Sequence, residues 1–264
     1  MDLKIANKTA LITGSTQGIG FETARKLLQE GVNVIINGRN EKKVNDAVSK
    51  LKNEFPKGKI IGITADLKDN EGCNKLISKI PHIDILINNL GIFEPKEFKD
   101  ITEQEWLHMF NVNVMSGVRL AQHYLSSMIN ENWGRIIFIS SESAIQIPKE
   151  MIHYGMTKTA QISVSRGIAE LTRGTNVTSN AILLGPSKSE GVVQFIEEFA
   201  QQNNLTFEEV EKDFFKNVRP TSLIQRFAQV EEDANMIVYI ASALSSATNG
   251  AILRADGGVI QSAF

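Results

Sequence analysis

Tyr154 and Lys158 stand four residues apart in HYGMTK (153–158), with ISSES (139–143) just upstream. Four residues is one helical turn, so both side chains share a face. An ammonium beside a phenol favours the phenolate and lowers the tyrosine's pKa. A tyrosine tuned in this way gives and takes protons near neutral pH. The same spacing also describes an ordinary surface pair, so the surrounding elements have to decide.

Those elements belong to a chain of 264 residues, 42% hydrophobic and 22% charged, with a net charge of −2. That is the composition of a globular protein. It offers no bulk electrostatic attraction for nucleic acid or an anionic membrane. The single cysteine, Cys73, excludes an internal disulfide and any multi-cysteine metal site. Its setting, DNEGCNKL, carries no base, which points to a structural role, and no metal is expected. The N-terminus, MDLKIANKTALITG, runs into a strand pattern without the apolar core of a signal peptide. No run approaches the roughly 18 apolar residues of a membrane span. A cytoplasmic location is the default expectation.

Short apolar runs alternate with amphipathic stretches. TALIT (9–13), VNVIIN (32–37), KIIGITA (59–65), IDILINN (83–89), RIIFIS (135–140), NVTSNAI (176–182) and AILRA (251–255) read as strands. Several are apolar throughout, as parallel strands covered on both faces are. Helical patterns fill about 18–30, 41–53, 69–79, 103–129, 152–173 and 231–243, and Thr102 and Glu105 have capping-box spacing. The alternation predicts an α/β doubly wound fold, a parallel sheet of about seven strands with helices on both faces. No linker divides residues 1–264, so one dinucleotide-binding and catalytic domain is expected. Residues 186–222 break the pattern with a helical pair, GVVQFIEEFAQQ and TFEEVEKDFFKNV. Phe195, Phe199, Phe207, Phe214 and Phe215 could form one apolar side there. The insertion reads either as a substrate lid or as a packing element.

TGSTQGIG (13–20) lies between the first strand and first helix. Gly14 permits a tight turn, Gly18 lets backbone approach a pyrophosphate, and Gly20 lets helix and strand pack closely. A helix N-terminus there points free N–H groups at phosphates. The second strand ends in NGRN (37–40), where Gly38 takes the position of the acidic residue that would hold an NAD ribose. Arg39 beside it suits a 2′-phosphate, which favours NADP(H) and leaves NAD(H) as the alternative. The bland reading of Arg39 is a solvated residue beginning a charged helix.

Taken together, these motifs resemble the short-chain dehydrogenase/reductase family along nearly the whole chain. TGSTQGIG resembles its cofactor turn, which would assign Gly14, Ser15, Thr16, Gln17, Gly18, Ile19 and Gly20 to the cofactor. Asp66 and Leu67 match the segment at the adenine. NNLG (88–91) resembles the stretch after the fourth strand, with Asn89 and Gly91 at the cofactor and Leu90 replacing an alanine. Asn113 matches a helix asparagine of the catalytic tetrad. Ser141, 13 residues before Tyr154, matches the catalytic serine, and Tyr154 and Lys158 match Tyr-x-x-x-Lys. ADGG (255–258) resembles the C-terminal signature. The resemblance implies a single-domain Rossmann-type fold and hydride transfer between NADPH and a carbonyl or alcohol. Tyr154 would be the general acid/base. Lys158 would lower its pKa and hold the nicotinamide ribose. Ser141 would hydrogen-bond the substrate oxygen, and Asn113 would hold a water linking Lys158 to solvent. Ser140 is the alternative register for the serine, with a structural role the better reading, and His153 would point about 100° away on a helix, toward packing. A homotetramer built on the two long helices is also implied.

Departures from the family pattern are instructive. NAILLGPSKSEG (180–191) has Leu184 where a proline is usual; Gly185, Ser187 and Ser189 would face the nicotinamide, with Ser189 standing in for a threonine. Gln17 replaces a basic residue frequent in NADP-binding turns. A 3-oxoacyl-acyl-carrier-protein reductase is a rival reading. Its acidic partner needs a basic docking pair, but Asn132 and Thr175 occupy those places and the 186–222 segment carries Glu197, Glu198, Glu208, Glu209 and Glu211. Arg135 and Arg173 are the basic residues that could rescue it. A non-catalytic nucleotide-binding scaffold is the other rival. If Arg39 meets a 2′-phosphate, a fluorescence titration will show NADPH binding at least tenfold tighter than NADH, about 1.4 kcal/mol. Equal or tighter NADH binding would remove the Arg39 reading.

Overall fold

Side chains alternate across a strand, so each strand feeds two cores. The computed structural model describes residues 2–263. Its strands are β1 (Thr9–Ile12), β2 (Asn33–Gly38), β3 (Ile60–Thr64), β4 (Ile85–Asn88), β5 (Gly134–Ser141), β6 (Val177–Leu184) and β7 (Ile252–Ala255). Its helices are α1 (Gly18–Gln29), α2 (Glu41–Glu54), α3 (Asn70–Lys79), α4 (Glu103–Phe110), α5 (Ser116–Asn130), α6 (Ile152–Leu171), α7 (Glu190–Asn203), α8 (Phe207–Asp213) and α9 (Val230–Ala241). Ala10, Ile12, Ile137 and Ile139 join Leu27 of α1, Leu51 of α2 and Ile237 of α9 in one core. Leu11, Ile136 and Phe138 join Leu76 of α3 and Leu120 and Tyr124 of α5 in the other.

All seven strands are parallel in one sheet, ordered β3-β2-β1-β4-β5-β6-β7. The seven expected strands and the alternation are present, and helices cover both faces. Strand order reverses between β1 and β4, which opens a crevice at the strands' C-terminal ends. No helix among the described residues is long and apolar enough to cross a membrane.

Two expectations change. The stretch at 103–129 is not one regular helix. It starts at the expected Thr102–Glu105 capping box, but Asn111–Met115 form a π-turn between α4 and α5. A π-turn inserts one residue into the helical ladder and is frequent at functional sites. The five phenylalanines of 186–222 are not all in one place either: Phe195, Phe199 and Phe214 line one cavity, and Phe207 and Phe215 are not in its lining. Phe207, Phe214 and Phe215 pack on Phe227, with ring centroids 6.4, 5.1 and 5.1 Å away. Phe195 and Phe199 stay exposed on α7.

Arg135 is a buried lock at the base of β5. Only 2% exposed, it donates from Nε to Ser242 O at 3.0 Å and from Nη1 to Gly134 O and Asn176 O at 2.8 and 2.9 Å. Its guanidinium also stacks over Trp133, 4.7 Å from the ring centroid. It is therefore unavailable to an acidic docking partner, which corrects that expectation. Arg135→Met should destabilise the protein by about 3 kcal/mol or more in urea unfolding, because buried carbonyls lose their donors. Cofactor affinity per folded molecule should not change.

Candidate active site

The cofactor turn is held from below by side chains rather than by its glycines alone. Thr13 Oγ1 accepts from the backbone N–H groups of Asn89 and Leu90 at 3.0 and 2.9 Å. Asn89 Nδ2 donates to Thr13 O and Gly14 O at 2.9 and 3.1 Å. Ser15 is fully buried, donating to Ile12 O at 2.7 Å and accepting from Asn37 N at 3.0 Å. Ser15 and the Asn89 amide thus shape the turn, and only their backbone or remaining faces are free for a ligand. Gly14 and Gly18 have φ of +61° and +62°, values that disfavour a side chain. A Cβ on Gly20 would lie 2.5 Å from Asn89 Nδ2.

A dinucleotide fits this cradle. The α1 N-cap, Gln17, makes no side-chain capping bond, and the first turn of α1 contains no acidic residue. Its N–H groups are thus left for an anion. Ser189 Cβ and the Glu190 carboxylate lie 3.4 Å from where a Gly18 Cβ would stand, so the loop after β6 covers the turn. Gly185 lies against Asp256, whose carbonyl oxygen would be 2.5 Å from an added Cβ. Ser187 Oγ donates back to Gly185 O at 3.1 Å. At the end of β2, a Cβ on Gly38 would meet the Thr16 methyl at 2.6 Å, so a side chain there would require Thr16 to shift. Arg39 is exposed, with no hydrogen bond or ion pair among the described residues. Lys43 and Lys50 line a cavity of about 230 Å³ with Thr16, Gln17 and the carboxylates Asp46 and Glu190, charged neighbours that the sequence reading passed over. Asp66 is half-buried beside Lys68, 3.4 Å away, and Leu67 is buried in the core.

A second group of residues converges where β5 meets α6. Gly155 makes this approach feasible: a Cβ there would lie 2.9 Å from Ser143 O and 2.8 Å from Ile147 Cγ2. Ser140 Oγ donates to Lys158 O at 2.9 Å, the structural role expected of it. Ser141 Oγ accepts from Ser143 N at 3.1 Å, and its hydroxyl meets the Tyr154 phenol. Phe93 stands edge-on to the Tyr154 ring, with centroids 6.2 Å apart. His153 is buried edge-on to Trp106, as packing predicted.

Asn113, in the π-turn, is a brace between elements. Its Oδ1 accepts from Ile92 N at 2.8 Å, and its Nδ2 donates to Ile92 O and Thr157 Oγ1 at 2.9 and 3.0 Å. Its carbonyl accepts from Gln161 Nε2 at 2.7 Å. Gly91 sits beside both Asn113 Oδ1 and Lys158 Nζ, which would be 3.7 and 3.4 Å from an added Cβ.

One electrostatic expectation is corrected. Lys158 Nζ donates to Ile139 O at 2.8 Å and lies 5.6 Å from the Tyr154 ring centroid. Burial dominates both groups. It pushes the phenol up to about 12, against the stabilising Ser141 hydroxyl, and pulls Lys158 down to about 8. The Lys158 ammonium donates to a backbone carbonyl at the end of β5.

Ser141, Tyr154 and Lys158 line a cavity of about 520 Å³, together with Ile19, Asn89, Gly91, Leu184 and Gly185. Phe93, Phe195, Phe199, Phe214 and Phe227 give it an apolar lining. Glu142 and Arg219 also line it. The sequence reading missed both, since Arg219 lies 77 residues away with no spacing signal.

A family model described as short chain dehydrogenase matches residues 8–199. The uncharacterized oxidoreductase YvaG of Bacillus subtilis is 50% identical over 264 residues, covering 100% of each chain. The 3-oxoacyl-(acyl-carrier-protein) reductase FabG of Aquifex aeolicus is 30% identical, covering 98% of this chain and 100% of that one. Among solved structures, L-sorbose reductase from Gluconobacter frateurii, complexed with NADPH and L-sorbose, has a TM-score of 0.93 at 26% identity, covering 99% of this chain and 100% of its own. With a cradle shaped for a dinucleotide at the sheet's switch point and relatives matched end to end, this chain belongs to the short-chain dehydrogenase/reductase family of oxidoreductases.

Proposed function

We propose that the protein is an NADP(H)-dependent reductase of a ketone or aldehyde, with alcohol oxidation as its reverse. The carrying observation is the convergence of Ser141, Tyr154 and Lys158 on the large, mostly apolar cavity beside the glycine turn. The NADPH in the L-sorbose reductase complex supports the cofactor preference. In this reading 14–20 hold the pyrophosphate, and Arg39 with Lys43 meets the 2′-phosphate. Asp66 and Leu67 flank the adenine, and Asn89, Gly91, Gly185, Ser187 and Ser189 bound the nicotinamide end.

The bound cofactor supplies the hydride. Tyr154 donates its proton to the carbonyl oxygen while Ser141 hydrogen-bonds that oxygen, so negative charge is stabilised as it develops. Lys158 orients the ribose and supplies positive charge beside the phenol. In this reading Asn113, whose carbonyl accepts from Gln161 Nε2, also holds a water toward Lys158. The apolar walls exclude bulk water and favour a substrate with a hydrocarbon body. Residues 186–222 act as a lid on one catalytic domain. A homotetramer forms through α4, α5 and α6, whose surfaces expose Leu107 and Leu171.

The carrier-protein substrate is the weaker reading despite the similar reductase of Aquifex aeolicus. Arg135 is buried, and Arg173 lies 3.2 Å from Glu170. Asn132 Oδ1 accepts from Asn176 N at 2.9 Å and Thr175 Oγ1 donates to Thr172 O at 2.7 Å, so both expected docking positions are uncharged and tied into turns. A cytoplasmic location accords with this small-molecule chemistry.

Tyr154→Phe should lower carbonyl-dependent NADPH oxidation by about a hundredfold or more while leaving the NADPH dissociation constant close to wild type. Turnover that survives this change would refute the mechanism. Free carbonyl compounds should be reduced with higher kcat/KM than the same acyl group on carrier protein; parity would restore the rival. Sedimentation velocity should show a tetramer, and a monomer at all concentrations would remove that assembly.

A further inference from the structure

Arg219 closes the 186–222 segment just after the π-turn Phe214–Val218, yet its side chain points inward and is only 8% exposed. Nε donates to Glu142 Oε1 at 2.8 Å. Nη1 donates to Val218 O at 3.0 Å and to Glu150 Oε1 at 3.5 Å. Glu142 follows Ser141 and is 3% exposed. Glu150 lies in the short turn Lys149–Met151 that leads into α6, the helix of Tyr154. One guanidinium therefore grips both ends of the chain that runs from Ser141 to Tyr154.

We propose that Arg219 is a positioning residue: the 186–222 segment carries it into the site, where it ties the Ser141 turn to the Tyr154 helix and neutralises Glu142 beside the phenol. The proposal rests on the assignment of Tyr154 as the acid/base. A buried carboxylate needs a partner. Burial pushes the Glu142 carboxyl up, and Arg219 opposes this. The same pair acts on Tyr154 with opposite signs: the Glu142 charge disfavours the phenolate and the Arg219 charge favours it.

The charged groups facing this corner come from several elements. Lys158 faces the Tyr154 ring from α6 itself, and Glu142 and Glu150 come from the turns before α6. Arg219 and Asp213 face the cavity from the 186–222 segment. Asp256, after β7, acts on Glu142. Arg219 and Asp213 both arrive with the inserted segment, and of the two it is Arg219 that pairs with Glu142, so seating that segment also sets the charge around the catalytic tyrosine.

The test compares wild type, Arg219→Met, Arg219→Lys, Glu142→Gln and the Arg219→Met/Glu142→Gln double variant. One readout is the pH midpoint of kcat for alcohol oxidation at saturating NADP. The other is the titration of the Tyr154 ring carbon in isotope-labelled, cofactor-free protein, assigned by its loss in Tyr154→Phe. Arg219→Met should raise the midpoint by about one pH unit, since it removes the charge that favours the phenolate. Glu142→Gln should lower it, in both readouts. The double variant should return toward wild type, and Arg219→Lys should stay close to it. A merely structural role for Arg219 would lower activity without opposite displacements. Unmoved midpoints, or both single variants moving the same way, overturn the proposal while Tyr154 keeps its role. If Tyr154→Phe retains turnover, both assignments fall together. Should Arg219→Met fail to fold, Glu142→Gln still decides: a lowered midpoint supports the proposal, and an unmoved or raised one overturns it.

Discussion

The site depends on the staple between the end of β5 and the first turns of α6. Lys158 Nζ bonds to Ile139 O, and Ser140 Oγ bonds to Lys158 O, so one lysine is held at both its head and its backbone. These bonds are made in a buried corner, where an unmet ammonium or carbonyl would be strongly unfavourable. They fix the distance between strand and helix, and with it the approach of Ser141 to Tyr154. Gly155 is what lets the helix come that near.

Around that staple the structure spends polar side chains on braces as much as on ligand contacts. Asn113 joins the π-turn to Ile92 and to Thr157, and Asn89 and Thr13 tie the glycine turn to the end of β4. Residues that a motif assigns to a ligand are here partly occupied in shaping the backbone that would bind it. Pre-organisation of this kind holds a site open to its ligand without reorganisation at the moment of reaction.

The two halves of the crevice differ physically. The half at the glycine turn is backbone-lined and suited to phosphate, with Lys43 and Lys50 beside Asp46 and Glu190 in the cavity next to it. The half beneath α7 and α8 is walled by phenylalanines, with one buried ion pair, Glu142–Arg219, at its inner edge. That half is lined mostly by hydrocarbon, with a few polar groups among it. That asymmetry is how a pocket combines affinity with orientation.

Much of this was legible in the linear chain. Apolar runs with β-branched residues mark parallel strands, and the order of glycine turn, NNLG, serine and Tyr-x-x-x-Lys marks the crevice ends. Such features are local, because strand period, turn geometry and helical spacing act within a few residues. Tertiary structure alone decided the rest. It buried Arg135, a residue that looks like a surface cation in sequence, because β5 carries it under Ser242 and Asn176. It made burial the dominant influence on Tyr154 and Lys158, since desolvation depends on everything packed around a group and not on its neighbour four residues away. It also brought Arg219 to Glu142 across 77 residues. No periodicity encodes that meeting, which arises only when the inserted segment folds back over the ends of the strands.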